Sequence, residues 1–144
     1  IAGFPIVDVR VVVLDGKHHP VDSKEVAFAT AGRKAFLAAV REARPIVLEP
    51  VVDVEIAVPD AVMGDVTGDL ASRRGQVAGT QHGAGGRVTV RGQVPLSELD
   101  GYQSRLNAMT SGQGRYTVSL SHYDPVPMST QLQLAGRYRA KDEE

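Results

Sequence analysis

Residues 51–58 read Val51-Val52-Asp53-Val54-Glu55-Ile56-Ala57-Val58. Val52, Val54, Ile56 and Val58 fall on one side of an alternation, and Asp53 and Glu55 on the other. That period of two is the signature of a strand with one buried and one wet face. Downstream, Pro59 opens a helical stretch at a favoured first-turn position. Val62, Val66 and Leu70 recur four apart within it, and Gly75 closes it. Gly64 and Gly68 share a helical face, and a close backbone approach there would offset their cost of about 1 kcal/mol each relative to Ala. Gln76 to Gln81 reads as a weak strand. Gln81-His82-Gly83-Ala84-Gly85-Gly86 is a hairpin loop, and Arg87 to Val94 is a second alternating strand. Pro95 leads into a helix striped by Leu99, Tyr102, Leu106 and Met109. Arg115 to His122 is the last strand, with Tyr116, Val118 and Leu120 inward and His122 a satisfied sheet histidine. The order β-α-β-β-α-β is the ferredoxin-like split pattern. Its first and third strands are central neighbours, which sets Asp53 and Glu55 opposite Arg87 and Arg91 on the open face.

Upstream, Ile6 to Leu14 (IVDVRVVVL) predicts a further strand, broken by Asp15-Gly16 and a polar turn at Lys17-His18-His19-Pro20. Asp22 and Glu25 stand at capping-box spacing, which makes Asp22 the expected N-cap. Phe28, Ala31, Ala35, Phe36, Ala39, Val40 and Ala43 then follow helical spacing. Pro45 ends the helix, Ile46 to Leu48 read as a short strand, and Glu49-Pro50 marks a junction. The fold class is therefore α+β: a strand–helix–strand piece followed by a ferredoxin-like domain. The charged end Asp142-Glu143-Glu144 reads as a solvated tail.

The chain has 144 residues, 42% hydrophobic and 23% charged, a globular balance. It holds no cysteine, which removes disulfides and thiolate metal sites. It opens at Ile1 without a start methionine, as a fragment would, and no segment reads as a signal peptide or a membrane span. The formal net charge is −1, so any contact with RNA would be a local patch. The wet face of the sheet offers no Phe or Tyr on which bases could stack, which argues against that mode of RNA reading. No phosphate-binding loop is present, because Gly16-Lys17 lacks the upstream glycine and the following Ser/Thr. No His or carboxylate spacing reads as a metal site, and no motif positions a nucleophile. The chain is expected to have no catalytic residue and no cofactor of its own.

Three ordered segments resemble elongation factor G. The first is Ala2-Gly3-Phe4-Pro5-Ile6-Val7-Asp8-Val9 with Asp15-Gly16 and His19-Pro20-Val21-Asp22-Ser23. The second is Leu48-Glu49-Pro50 with Met63-Gly64-Asp65-Val66-Thr67-Gly68-Asp69-Leu70-Ala71-Ser72-Arg73-Arg74-Gly75. The third is Val94-Pro95-Leu96-Ser97-Glu98-Leu99 with Gly101-Tyr102. The resemblance runs from about residue 1 to 127. It implies the distal half of domain IV over 1–48, of a kind shared with a small-subunit ribosomal protein. It further implies domain V over 49–127 and a C-terminal tail over 128–144. It also implies a cytoplasmic, monomeric translational GTPase as parent, with GTP and Mg held in a domain missing from this chain, and the ribosome as partner. Lys17, His18, His19, Asp22 and Ser23 would lie in the tip that contacts the tRNA–mRNA duplex, and Arg73 and Arg74 would face rRNA. Thr110-Ser111-Gly112-Gln113-Gly114-Arg115-Tyr116 and Asp100 depart from the usual family pattern and point to a paralogue, for which ribosome recycling or protection is the alternative role. A free-standing ferredoxin-like regulatory domain that binds a small molecule is the competing reading.

Overall fold

The computed structural model describes residues 2–138. The elements in chain order are α1 (Glu25–Glu42), β1 (Leu48–Pro59), α2 (Met63–Ser72), β2 (Gln76–His82), β3 (Arg87–Pro95), α3 (Tyr102–Thr110), β4 (Arg115–Pro125) and α4 (Met128–Arg137). Short 3-10 turns precede α2, β3 and α3. The chain divides into two compact units, Leu48–Val126 and a second made of Ile1–Val47 with Pro127–Glu144.

In the unit Leu48–Val126 the sheet has four strands in the order β2-β3-β1-β4, with every neighbouring pair antiparallel. β1 and β3 are central, as the alternation requires. Val52, Val54, Ile56 and Val58 of β1 join Val88, Val90 and Val94 of β3 in one buried layer. Val66 and Leu70 of α2 and Tyr102 and Leu106 of α3 complete that core. Gly92 interrupts the apolar side of β3 for a steric reason: a Cβ there would lie 2.5 Å from the carbonyl oxygen of Gln76 and 3.1 Å from Leu70 Cδ2. Gly75 is held similarly, with a built Cβ only 2.6 Å from the Leu70 carbonyl oxygen. Its own N–H donates to that oxygen at 2.9 Å, closing α2.

Several expectations change on contact with this unit. β1 starts at Leu48 and runs on through Glu49 and Pro50, so Ile46 to Leu48 form no separate strand, and the two units divide between Val47 and Leu48, just before the expected junction. Glu55 does face Arg91, at 2.9 Å, but Asp53 faces Gln93, whose Nε2 donates to it at 2.8 Å. Arg87 instead donates to the carbonyl oxygens of Ala57 and Gln113. Gly64 and Gly68 have nothing within 4 Å of a built Cβ, so no close backbone approach offsets them. Val118 and Leu120 stand opposite Val54 and Val52, yet are 47% and 60% exposed, because β4 is an edge strand. His122 is satisfied, its ring nitrogens meeting Ser121 Oγ and Asp124 Oδ2, both at 2.9 Å, but on an exposed side chain rather than in the core.

The other unit departs further from the sequence pattern. Residues 6–14 pair with no strand among the described residues, and Asp8 sits at φ 56, in the left-handed region. A strand is stable only with a neighbour for its hydrogen bonds and cover for its apolar face. The described residues supply neither, and Val13 and Leu14 are 85% and 91% exposed. α1 forms as its periodicity predicts but buries none of its residues. Its N-cap is Lys24, with no capping side chain, so Asp22 does not cap it. The segment expected as a tail holds α4, and the Val47 N–H donates to its Gln131 Oε1 at 3.2 Å. Asp142-Glu143-Glu144 lie outside the described residues.

Candidate functional site

The turn before α1 gathers Lys17, His18, His19, Asp22 and Ser23 into one stretch, all exposed except the half-buried Ser23. Asp15 opens it by accepting from the Gly16 N–H at 2.7 Å. Ser23 and His19 then close it reciprocally. The His19 N–H donates to Ser23 Oγ at 2.5 Å, and the Ser23 N–H donates to the His19 carbonyl oxygen at 3.1 Å. A serine hydroxyl that satisfies a backbone donor four residues earlier is a compact alternative to a helical cap.

The imidazole is fixed by its own loop. The Val21 N–H donates to His19 Nδ1 at 3.3 Å, which places the proton of the neutral ring on Nε2. Asp22 Oδ2 stands 3.5 Å from the same Nδ1, a contact that suits the protonated ring instead. The turn thus presents a donor-bearing imidazole beside Lys17 and His18, a set suited to hydrogen bonding with anionic or carbonyl oxygens. An open depression next to it is lined in part by Asp22, Lys24, Thr30 and Lys34.

The second candidate pair, Arg73 and Arg74, ends α2, and both guanidiniums are engaged within the unit. Arg73 Nε donates to Asp69 Oδ2 at 2.9 Å and its Nη1 to the Glu98 carbonyl oxygen at 2.5 Å. Its guanidinium lies 5.0 Å from the Tyr102 ring centroid. Arg74 stands at φ 58 and takes both Glu49 oxygens, at 2.6 and 2.9 Å, while its Nε donates to Glu98 Oε1 at 2.9 Å. Arg105 Nε donates to Asp69 Oδ1 at 3.1 Å.

These pairs set the local electrostatics. Burial pushes the Asp69 carboxyl upward, but the hydrogen bonds from Arg73 and Arg105 outweigh it and hold the group below the usual carboxylate range. The Arg74 guanidinium is shifted upward, first by its bonds to Glu49. Burial raises the Tyr102 phenol to about 12, with the Asp69 charge adding to the shift. Its hydroxyl has no partner among the described residues. The sequence reading missed Glu49, Asp69, Glu98 and Arg105. Only the Asp69–Arg73 spacing of four gave a signal; the others come together through the fold.

Among the described residues no group of His, Asp and Glu could hold a metal ion, and no helix is long and apolar enough to cross a membrane.

Residues 46–134 match the family model described as elongation factor G C-terminus, and residues 1–44 match that described as elongation factor G, domain IV. The chain is also similar to a crystal structure of a protein from Thermus thermophilus, with 37% identity and a TM-score of 0.72 over 83% of this chain. It spans 18% of the length of that structure's chain.

Proposed function

The chain belongs to the elongation factor G family, and from that premise we propose that it is the ribosome-contacting end of a translational GTPase that promotes tRNA–mRNA translocation in the cytoplasm. The observation that carries the reading is the turn at 15–23, where His19 and Ser23 bind each other's backbone while Lys17, His18 and the His19 ring stay exposed. In this reading residues 1–48 are the distal half of domain IV, 49–127 are domain V, and 128–144 follow it. The turn enters the decoding region as a pre-shaped wedge. Hydrogen bonds from His19 Nε2 and charge from Lys17 meet the tRNA–mRNA backbone, and steric occupation blocks its return. The work is done by shape and contact rather than by proton transfer. GTP and its Mg ion belong to another part of the parent.

Arg73 and Arg74 take a narrower role here than free phosphate ligands would. Arg73 braces α2 against the turn before α3, and Arg74, 38% exposed, is the member that a phosphate of rRNA can reach. The departures at Asp100 and over Thr110–Tyr116 favour a second role for the parent in separating ribosomal subunits.

The test is single-turnover translocation and subunit splitting by the full-length parent carrying His19→Ala or Lys17→Ala, with GTP hydrolysis measured alongside. Slowed translocation with hydrolysis retained supports the wedge. Unchanged translocation and loss of splitting moves the function to recycling. No effect on either removes the turn from the mechanism.

A further inference from the structure

One carboxylate, Asp69 on α2, serves two guanidiniums. Its Oδ2 accepts from Arg73 Nε at 2.9 Å and its Oδ1 from Arg105 Nε at 3.1 Å. Despite the upward push of burial, those bonds hold the carboxyl low, so it is ionised at neutral pH. The cluster therefore carries one surplus positive charge. At Arg74 the count is reversed, with one guanidinium between the carboxylates of Glu49 and Glu98. The positive charge that the fold leaves uncompensated at this end thus belongs to the Asp69 cluster.

Within that cluster the accessible member is Arg105. Arg73 is only 20% exposed, lies 5.0 Å from the Tyr102 ring centroid and gives its Nη1 to the Glu98 carbonyl oxygen. Arg105 is 56% exposed, and only its Nε is engaged among the described residues. Tyr102 and Arg105 stand three apart on α3 and share the face turned to α2. Asp69 so fixes the root of the Arg105 fork and leaves both terminal nitrogens without an acceptor. A guanidinium restrained in this way offers two parallel donors in the geometry that matches a phosphate. On the reading that this end of the chain meets rRNA, we propose that Arg105 is the phosphate-binding residue of the sheet unit and that Asp69 is its positioning residue. The ligand is a backbone phosphate of RNA, held without any base being read. Arg74, its charge offset by two carboxylates, contributes hydrogen-bond donors rather than charge.

The test is ribosome binding by the full-length parent with a non-hydrolysable GTP analogue, its Kd measured across a salt series. Arg105→Ala raises Kd about tenfold and lowers the slope of log Kd against log salt by about one. Arg105→Lys keeps the slope, because the charge remains, but recovers affinity only in part, because an ammonium has no fork. Asp69→Asn separates positioning from charge. It removes a negative charge, which by itself would tighten binding to RNA, whereas loss of the brace weakens it. Unfolding midpoints of the same variants in the 144-residue chain report that each is folded. Arg105→Ala with Kd and slope both unchanged overturns the assignment and leaves the ribosomal reading standing. A weakened Kd at an unchanged slope overturns it too, since the ligand is then a group on a ribosomal protein rather than a phosphate. Tighter binding by Asp69→Asn removes the positioning role. An unsubstituted parent that does not bind ribosomes overturns this assignment and the ribosomal reading together.

Discussion

Arg74 grips both carboxylate oxygens of Glu49, at 2.6 and 2.9 Å, and so ties the end of α2 to the start of β1. Glu49 is almost enclosed, its side chain 11% exposed, whereas Arg74 is 38% exposed. Removing the guanidinium leaves a carboxylate with little access to water. Arg74→Ala is expected to destabilise the sheet unit by about 2 kcal/mol in urea unfolding, the scale of losing charged hydrogen bonds at a partly screened site. Arg74→Lys recovers only part of this, because an ammonium cannot reproduce the two parallel bonds.

Glycine substitutions in this unit are expected to have opposite signs. Gly64→Ala lies in open space within α2 and should stabilise by up to about 1 kcal/mol. Gly92→Ala pushes a methyl group against the Gln76 backbone and should cost more than about 2 kcal/mol. Thermal unfolding of the two variants side by side checks this.

The lowered Asp69 carboxyl gives an acid limb to stability. Its folded pKa lies below its unfolded value, so its contribution is present above the ordinary range near 4 and is lost as pH falls through the folded value. Asp69→Asn should lower stability at neutral pH and flatten the slope below about pH 4. Unfolding titrations from about pH 2 to 7 measure both effects.

Tyr102 predicts the alkaline limb. Its pKa is raised to about 12 from an ordinary 10.0, so its contribution is complete below pH 10 and disappears as pH rises through 12. Tyr102→Phe removes a buried hydroxyl with no partner while keeping the edge-to-face contact with Tyr116 at 5.0 Å between ring centroids. It should be neutral or stabilising by about 1 kcal/mol and should flatten the slope above about pH 10. Ultraviolet titration of the phenols shows whether the highest pKa belongs to this residue.

In the turn, Ser23→Ala should expose the His19 amide to faster hydrogen exchange, because it removes the acceptor of that N–H. Asp22→Ala should leave the helicity of α1 unchanged, since Lys24 occupies the N-cap without help from a side chain. Exchange followed by NMR and far-ultraviolet circular dichroism distinguish the two roles.

The central strands were legible because the alternation at 51–58 and 87–94 maps directly onto burial. Val118 and Leu120 follow the same parity but stand on an edge strand, a position that alternation cannot reveal. Residues 6–14 show a second limit. Their composition asks for a sheet, but a strand is a relationship between segments, and the described residues provide no second segment. Asp22 misled because Ser23, one residue later, closes the turn onto His19. The positions of Arg73 and Arg74 at the end of α2 were readable; their carboxylate partners were not, since Glu49 and Glu98 come from distant parts of the chain.

Leu48 stands opposite Pro125 in the register of β1 and β4. The chain therefore enters and leaves the ferredoxin-like unit at adjacent points, which makes the unit a cassette. A short linker from residue 126 back to 48 could close it into a circle, and the exposed loop at Gly83–Gly86 offers a place to reopen it. A permutant built that way would carry its sheet and buried valines intact while moving both termini to the far side of the hairpin.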